Sequence, residues 1–271
     1  MARTHTDASA APLAEHERVL AWCPVRGMHS AADEGGGLLA ADSWLVRDGR
    51  VRGIGRHGER FMNACSETAA VPADQVREFW REALAAVPRH GHWFPRVELG
   101  ADEPAQLRLR LRPAPPLASQ VRVWVSDRPD PRSTPRRKGP DLPALARLRQ
   151  EAVGHGAQEA LLSSVGGLVL EAASSSLLWW EDGTLCLPAP ALPTLPGVTT
   201  SLIQERARSA GTPVVHRHPT LDDLDGLEVW LVNALHGIRP VTAWTGRALR
   251  AGPATRAAEW RRWLDGLGLP L

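Results

Sequence analysis

Between Arg112 and Ser119 the chain reads RPAPPLAS, and this segment limits the fold more than any other. Proline has no amide hydrogen and a fixed φ, so neither a helix nor a strand ladder runs through Pro113, Pro115 and Pro116. Residues 113–119 are therefore expected to be an interdomain linker, with an N-terminal α/β domain over 18–112, a larger C-terminal domain over 120–271 and a polar, frayed tail over 1–17. With 271 residues, 43% of them hydrophobic, both parts can bury a core without disulfides or metals.

Both sides mix short strands with helices. In the first part RVLAW (18–22) reads as a strand, and Asp48-Gly49 sits between apolar runs as a hairpin turn. A short helix is expected over 57–67, followed by one over 72–87 that places Val76, Phe79, Trp80, Leu84 and Val87 at core spacing. RVEL (96–99) and QLRLRLR (106–112) alternate as strands, which puts Arg108, Arg110 and Arg112 on a solvated face. The second part predicts a strand at 121–125, a helix over 142–156 and strands at 160–164 and 168–174. An Asp182-Gly183 hairpin within 176–188, a helix over 196–211, strands at 228–235 and RPVTAW, and a terminal Trp-containing helix complete it. The fold class is α+β.

Charge and cysteine usage exclude several functions. Thirty-two basic residues are offset by thirty acidic ones, and the densest basic stretch, RPDPRSTPRRK (128–138), contains an acid and three prolines. That stretch reads as a solvated loop, and no nucleic-acid face is expected. Cys23, Cys65 and Cys186 have no CxxC spacing, which fits a reducing cytoplasm and argues against a metal site. No apolar run reaches the roughly 18 residues of a membrane span, and the N-terminus lacks a signal-peptide core, so a cytoplasmic protein is expected.

Of the 32 basic residues 31 are arginine, and the one lysine is Lys138. A surface cation is readily an arginine; a lysine that survives in such a background invites an explanation. A desolvated amine falls from about 10.4 towards neutrality and serves as nucleophile or base, which a guanidinium does not. Glu171, set in the apolar strand GLVLEAASSSLLWW, requires a partner if buried. LPGVTT (195–200) opens a helix whose free amides suit an anion, and Arg60 lies on the helix HGERF.

These segments, in this order, resemble those of the class IV (fold type IV) pyridoxal-phosphate enzymes. The shared run is Lys138, GAQEALL, GLVLEAASSSLLWW, LPGVTT and VNALHGIRPV, and HGERF is similar to the family's H-x-x-R-(L/F) helix. The resemblance spans most of residues 40–245. It implies a two-domain fold like that of D-amino-acid aminotransferase, with a small N-terminal α/β domain and a larger C-terminal mixed, barrel-like domain with helices. It further implies pyridoxal 5'-phosphate, with Lys138 as the catalytic Schiff-base lysine and Glu171 at the pyridine nitrogen. Arg60, Gly197, Val198 and Thr199 would hold the phosphate, and Asn233 and Ala234 would form the adjoining strand-end loop. Ser43, Arg96 and His236 are candidate substrate contacts, and Arg239 a further candidate for a dicarboxylate.

VNALHGIRPV is closer to the 4-amino-4-deoxychorismate lyases, and the chain has no tyrosine to orient an amino-acid carboxylate. The resemblance therefore implies a lyase that eliminates pyruvate to give 4-aminobenzoate. A class IV aminotransferase acting on branched-chain, D- or other amino acids is the alternative, and a non-catalytic scaffold without cofactor is the lesser one. The expected partners are a small amino substrate and a second copy of the chain as a homodimer, with no nucleic acid or membrane.

Overall fold

The computed structural model describes residues 17–32 and 35–271, so the frayed tail expected over 1–17 lies, except for Glu17, outside the described residues. Five antiparallel strands form the first sheet, in the spatial order Gly27–Ser30, Arg18–Cys23, Leu107–Leu111, Arg96–Gly100 and Leu38–Ser43. Helices α1 (Ile54–Thr68) and α2 (Ala73–Ala86) cover one face of it. Trp44, Phe61, Phe79, Leu99 and Leu109 are buried in that layer, and Trp80 and Leu84 pack against it partly exposed.

A second, mixed sheet of eight strands runs in the order Val169–Ala172, Glu159–Ser163, Val121–Val125, Gly237–Thr245, Glu228–Asn233, Ser176–Glu181, Thr184–Pro188 and Val214–Arg217. It curls into a half barrel. Helix α3 (Leu142–Gly154) packs on one end. Helices α4 (Val198–Ser209) and α5 (Ala257–Asp265) bury Ile203 and Trp260 with Trp180 and Trp230. A small third sheet pairs Leu269–Pro270 with Arg50–Val51, and joins Val46–Arg47 to His92–Trp93.

Local chemistry explains the turns. Asp48 and Gly49, at φ 47° and 71°, and Asp182 and Gly183, at φ 43° and 85°, make the two left-handed pairs that a two-residue hairpin needs. Two expectations about charge are corrected. Arg108 is buried, and Arg110 and Arg112 are partly buried, because they lie on or beside an inner strand whose neighbours supply anions: Asp102 for Arg108, Glu98 for Arg110. The 128–138 loop is irregular as expected but not simply solvated, since the Arg132 side chain is 4% exposed. The helix expected over 57–67 begins earlier, at Ile54.

Residues 113–119, which contain no helix and no strand beyond an isolated bridge at Pro113, lead from the first sheet to the second and are pinned where the Ala118 amide donates to His236 Nδ1. The two sheets also meet where the Ala41 amide, on the edge strand of the first, donates to the Lys138 carbonyl at 2.7 Å. That contact places the lone lysine at the junction.

Candidate active site

The Lys138 loop is anchored from within. Asp141 accepts from the amides and hydroxyls of Ser133 and Thr134, and Asp130 holds Arg132 through both carboxylate oxygens. Gly139 follows the lysine at φ 138°, and a Cβ there would lie 2.9 Å from the Ala40 backbone. Only glycine lets the strand Leu38–Ser43 approach so closely.

Eleven of the twelve site residues expected from the sequence line one cavity of about 260 Å³: Lys138, Arg60, Glu171, Gly197, Val198, Thr199, Asn233, Ala234, Ser43, Arg96 and His236. A wider recess of about 950 Å³ shares Arg60, Lys138, Glu171, Gly197 and Val198 with it and adds Thr200. Arg239 does not line the cavity; it is buried against Glu159 and Ser175. The charge that sequence reasoning offered to a dicarboxylate is consumed inside the protein.

Burial pushes the Lys138 amine down to about 8. Asp42 opposes this, while the positive charges of Arg60, Arg112 and Arg96 reinforce it. At pH 7 roughly a tenth of the amine is therefore unprotonated and nucleophilic, far more than for a free lysine.

Arg60 lies on α1 and is aimed by Asp42, a wholly buried carboxylate that accepts from its Nε at 2.7 Å and its Nη2 at 2.9 Å. Nη1 donates to the Pro196 carbonyl at 3.0 Å, which leaves one N–H on each terminal nitrogen. Asp42 also hydrogen-bonds His57 Nδ1 at 2.7 Å. Burial lowers the His57 pKa, with Asp42 opposing. Arg60 and His57 hold the Asp42 carboxyl below the usual carboxylate range against its burial.

Helix α4 starts beside Arg60 with no side-chain cap, and among the described residues the amides of Val198, Thr199 and Thr200 have no partner. The buried Thr200 Oγ1 is also unpartnered. Gly197 opens this turn because a Cβ would lie 2.6 Å from Ser176 Oγ and 2.9 Å from Thr200 Oγ1. The cluster offers hydrogen-bond donors, a guanidinium and the positive end of a helix to an anion.

Glu171 sits across the cavity on the strand Val169–Ala172, 4% exposed. Its Oε1 accepts from Arg132 Nη1 at 2.5 Å and from the Leu195 amide at 2.8 Å, while Oε2 has no hydrogen-bond partner among the described residues. Burial raises its pKa to about 7, although Arg132 pulls the other way. Asn233 is tied into its turn, donating to Ser174 O and Ser175 Oγ and accepting from the His236 amide. The His236 pKa falls to about 4 through burial and the charges of Arg239 and Arg149. Arg96 is held by Glu98 at 2.6 Å.

Sequence reasoning missed Asp42, Arg112, Arg132 and Thr200. Asp42 in LLAADS is, like Glu171, an acid within an apolar strand, and that pattern is the signal that marks it. Nothing in the loop sequence distinguishes Arg132 from its exposed neighbours.

The donor set matches pyridoxal phosphate. An amine would meet the aldehyde, a carboxylate oxygen left unbonded would meet a ring nitrogen, and unfilled donors around an unpartnered hydroxyl would meet a phosphate. Among the described residues no cluster of three His, Cys, Asp or Glu suits a metal, and no helix is long and apolar enough to cross a membrane.

The sequence profile of the amino-transferase class IV family matches residues 39–244. A fold IV transaminase from Curtobacterium pusillum superposes with a TM-score of 0.75 at 20% identity, covering 92% of this chain and 99% of its own. A hypothetical aminotransferase from Mycobacterium tuberculosis in its PLP-bound form gives 0.75 at 21%, over 93% and 98% of the chains. A candidate 4-amino-4-deoxychorismate lyase from Legionella pneumophila gives 0.72 at 16%, over 87% and 97%. No curated protein sequence matches. These structural likenesses establish the shared fold.

Proposed function

The chain belongs to the class IV aminotransferases, a family of pyridoxal-phosphate-dependent enzymes, and from this we propose that it is a lyase of the 4-amino-4-deoxychorismate type. Lys138 would join the cofactor aldehyde, Glu171 Oε2 would hold the ring nitrogen, and Arg60 with the α4 amides would hold the phosphate. When bound, the cofactor supplies an electron sink for the pair left behind as a C–H bond breaks.

Once the substrate amine has displaced it from the aldehyde, the freed Lys138 amine would act as a base on the substrate. It takes the proton from the ring carbon that bears the amine, the neighbouring C–O bond breaks, and the enolpyruvate released takes up a proton to become pyruvate. The ring is left aromatic as 4-aminobenzoate. The observation that carries this reading is the wall beside Lys138, where Arg96 and Arg112 line the cavity and the chain has no phenol to offer. Such a wall suits a ring substrate carrying carboxylates better than an apolar side chain.

The second reading, transamination, uses the same amine and is favoured by the family match itself. Pyruvate release is followed with lactate dehydrogenase and NADH, with aminodeoxychorismate as sole substrate. Release without any keto acid supports the lyase; a requirement for both an amino donor and a keto acid assigns the enzyme to transamination. We further propose that two copies pair in solution and that the enzyme works in the cytoplasm. A single-chain mass by light scattering would overturn the pairing.

A further inference from the structure

Six arginines line the cavity around Lys138, and five have a protein carboxylate within 4.0 Å. The partners are Asp42 for Arg60, Glu98 for Arg96, Glu171 for Arg132, Glu67 for Arg137 and Glu159 for Arg149. Arg112 is the exception, with no ion pair among the described residues. It is nevertheless held firmly: its Nε donates to the Phe94 carbonyl at 2.9 Å, and its guanidinium carbon lies 4.9 Å from the centroid of the Phe94 ring. Stacking and hydrogen bond fix the plane of the group, while neither Nη1 nor Nη2 has a partner among the described residues.

A partly buried cation without a counter-ion is costly, and proteins retain one mainly where a ligand brings the missing charge. Burial and the charges of Arg96 and Arg110 push the Arg112 pKa down to about 10, against Glu17 and Glu98, so the surroundings are short of negative charge. Arg112 also lies close enough to Lys138 to depress its amine. The cofactor phosphate has its own donors at Arg60 and the start of α4.

We infer that Arg112 is the anchor for a carboxylate of the substrate, oriented by Phe94 and presenting its two free Nη groups to that anion. The inference rests on reading the cavity as the substrate site and extends it to the group that selects an acidic substrate. Arg96, already neutralised by Glu98, shapes the wall instead of binding the charge.

Benzoate tests this without turnover, because it carries the carboxylate but no amine. The holoenzyme is titrated with benzoate and, as the neutral control, with benzamide, following the visible absorbance of the bound cofactor. Arg112→Gln is expected to weaken benzoate roughly ten- to a hundredfold, the loss of a charge-assisted bidentate contact, while benzamide binding and pyridoxal phosphate uptake stay within about twofold. Unchanged benzoate binding overturns the inference. So does a loss of pyridoxal phosphate uptake that matches the loss of benzoate binding, since the anion would then be the phosphate.

Should Arg112→Gln not fold, phenylglyoxal modification of the wild-type holoenzyme gives the same answer. Benzoate should protect the Arg112 peptide, and failure to protect it overturns the inference. Absence of pyruvate release by the wild type would remove the lyase reading without touching this result.

Discussion

Replacing Lys138 by methionine should make the cofactor-free protein more stable at neutral pH. The amine falls from 10.5 to about 8 on folding, because it is desolvated and faces Arg60, Arg112 and Arg96 with only Asp42 to compensate. At about 1.4 kcal/mol per pH unit, that difference is a penalty of about 3 kcal/mol on the folded state wherever the lysine is protonated in both states, below about pH 8. Between pH 8 and 10.5 the unfolded chain holds a proton that the folded chain has released, so wild-type stability rises with pH across that window. Methionine keeps the apolar stem and removes the charge. Lys138→Met apoprotein should therefore be about 1–3 kcal/mol more stable than wild type at pH 7, and the gap should close by pH 10.5. Urea unfolding of both apoproteins at pH 7, 9 and 10.5 measures it. A variant less stable at pH 7, or a gap that does not shrink with pH, refutes the claim that the site is strained around this amine.

Three further outcomes follow from the same geometry. Asp42→Asn leaves Arg60 and His57 facing a neutral amide in a buried position, and should cost about 3 kcal/mol or more in urea unfolding and weaken pyridoxal phosphate at least tenfold. Gly139→Ala places a Cβ against the Ala40 backbone, and should lower the urea midpoint and slow cofactor uptake; unchanged uptake would show that the strand does not position the lysine. The rate of cofactor capture by wild-type apoprotein, followed by absorbance, should rise with pH through about 8, where the neutral amine appears, and not through 10.5.

The sequence made much of this legible, for physical reasons. Lys138 stood out because no guanidinium replaces a primary amine, and Asp48-Gly49 and Asp182-Gly183 because few residues tolerate consecutive positive φ. Gly197 and the free amides of α4 followed from a proline-glycine helix entrance. Long-range pairing was not legible. Alternation put Arg108, Arg110 and Arg112 on a polar face, but which carboxylates lie across from them depends on strand order, and among the described residues Arg112 has no ion pair. Arg132 likewise acquires its role only when the chain returns 39 residues later with Glu171.

The chain's one lysine is expected to carry the cofactor. Reduction of the purified, pyridoxal-phosphate-loaded protein with borohydride followed by peptide mass mapping tests it directly, because the N-terminus is the only competing primary amine. The expected result is a yellow protein that bleaches on reduction, with the pyridoxyl mass on the peptide containing Lys138. A protein that stays colourless with added pyridoxal phosphate, or a label confined to the N-terminus, would contradict it.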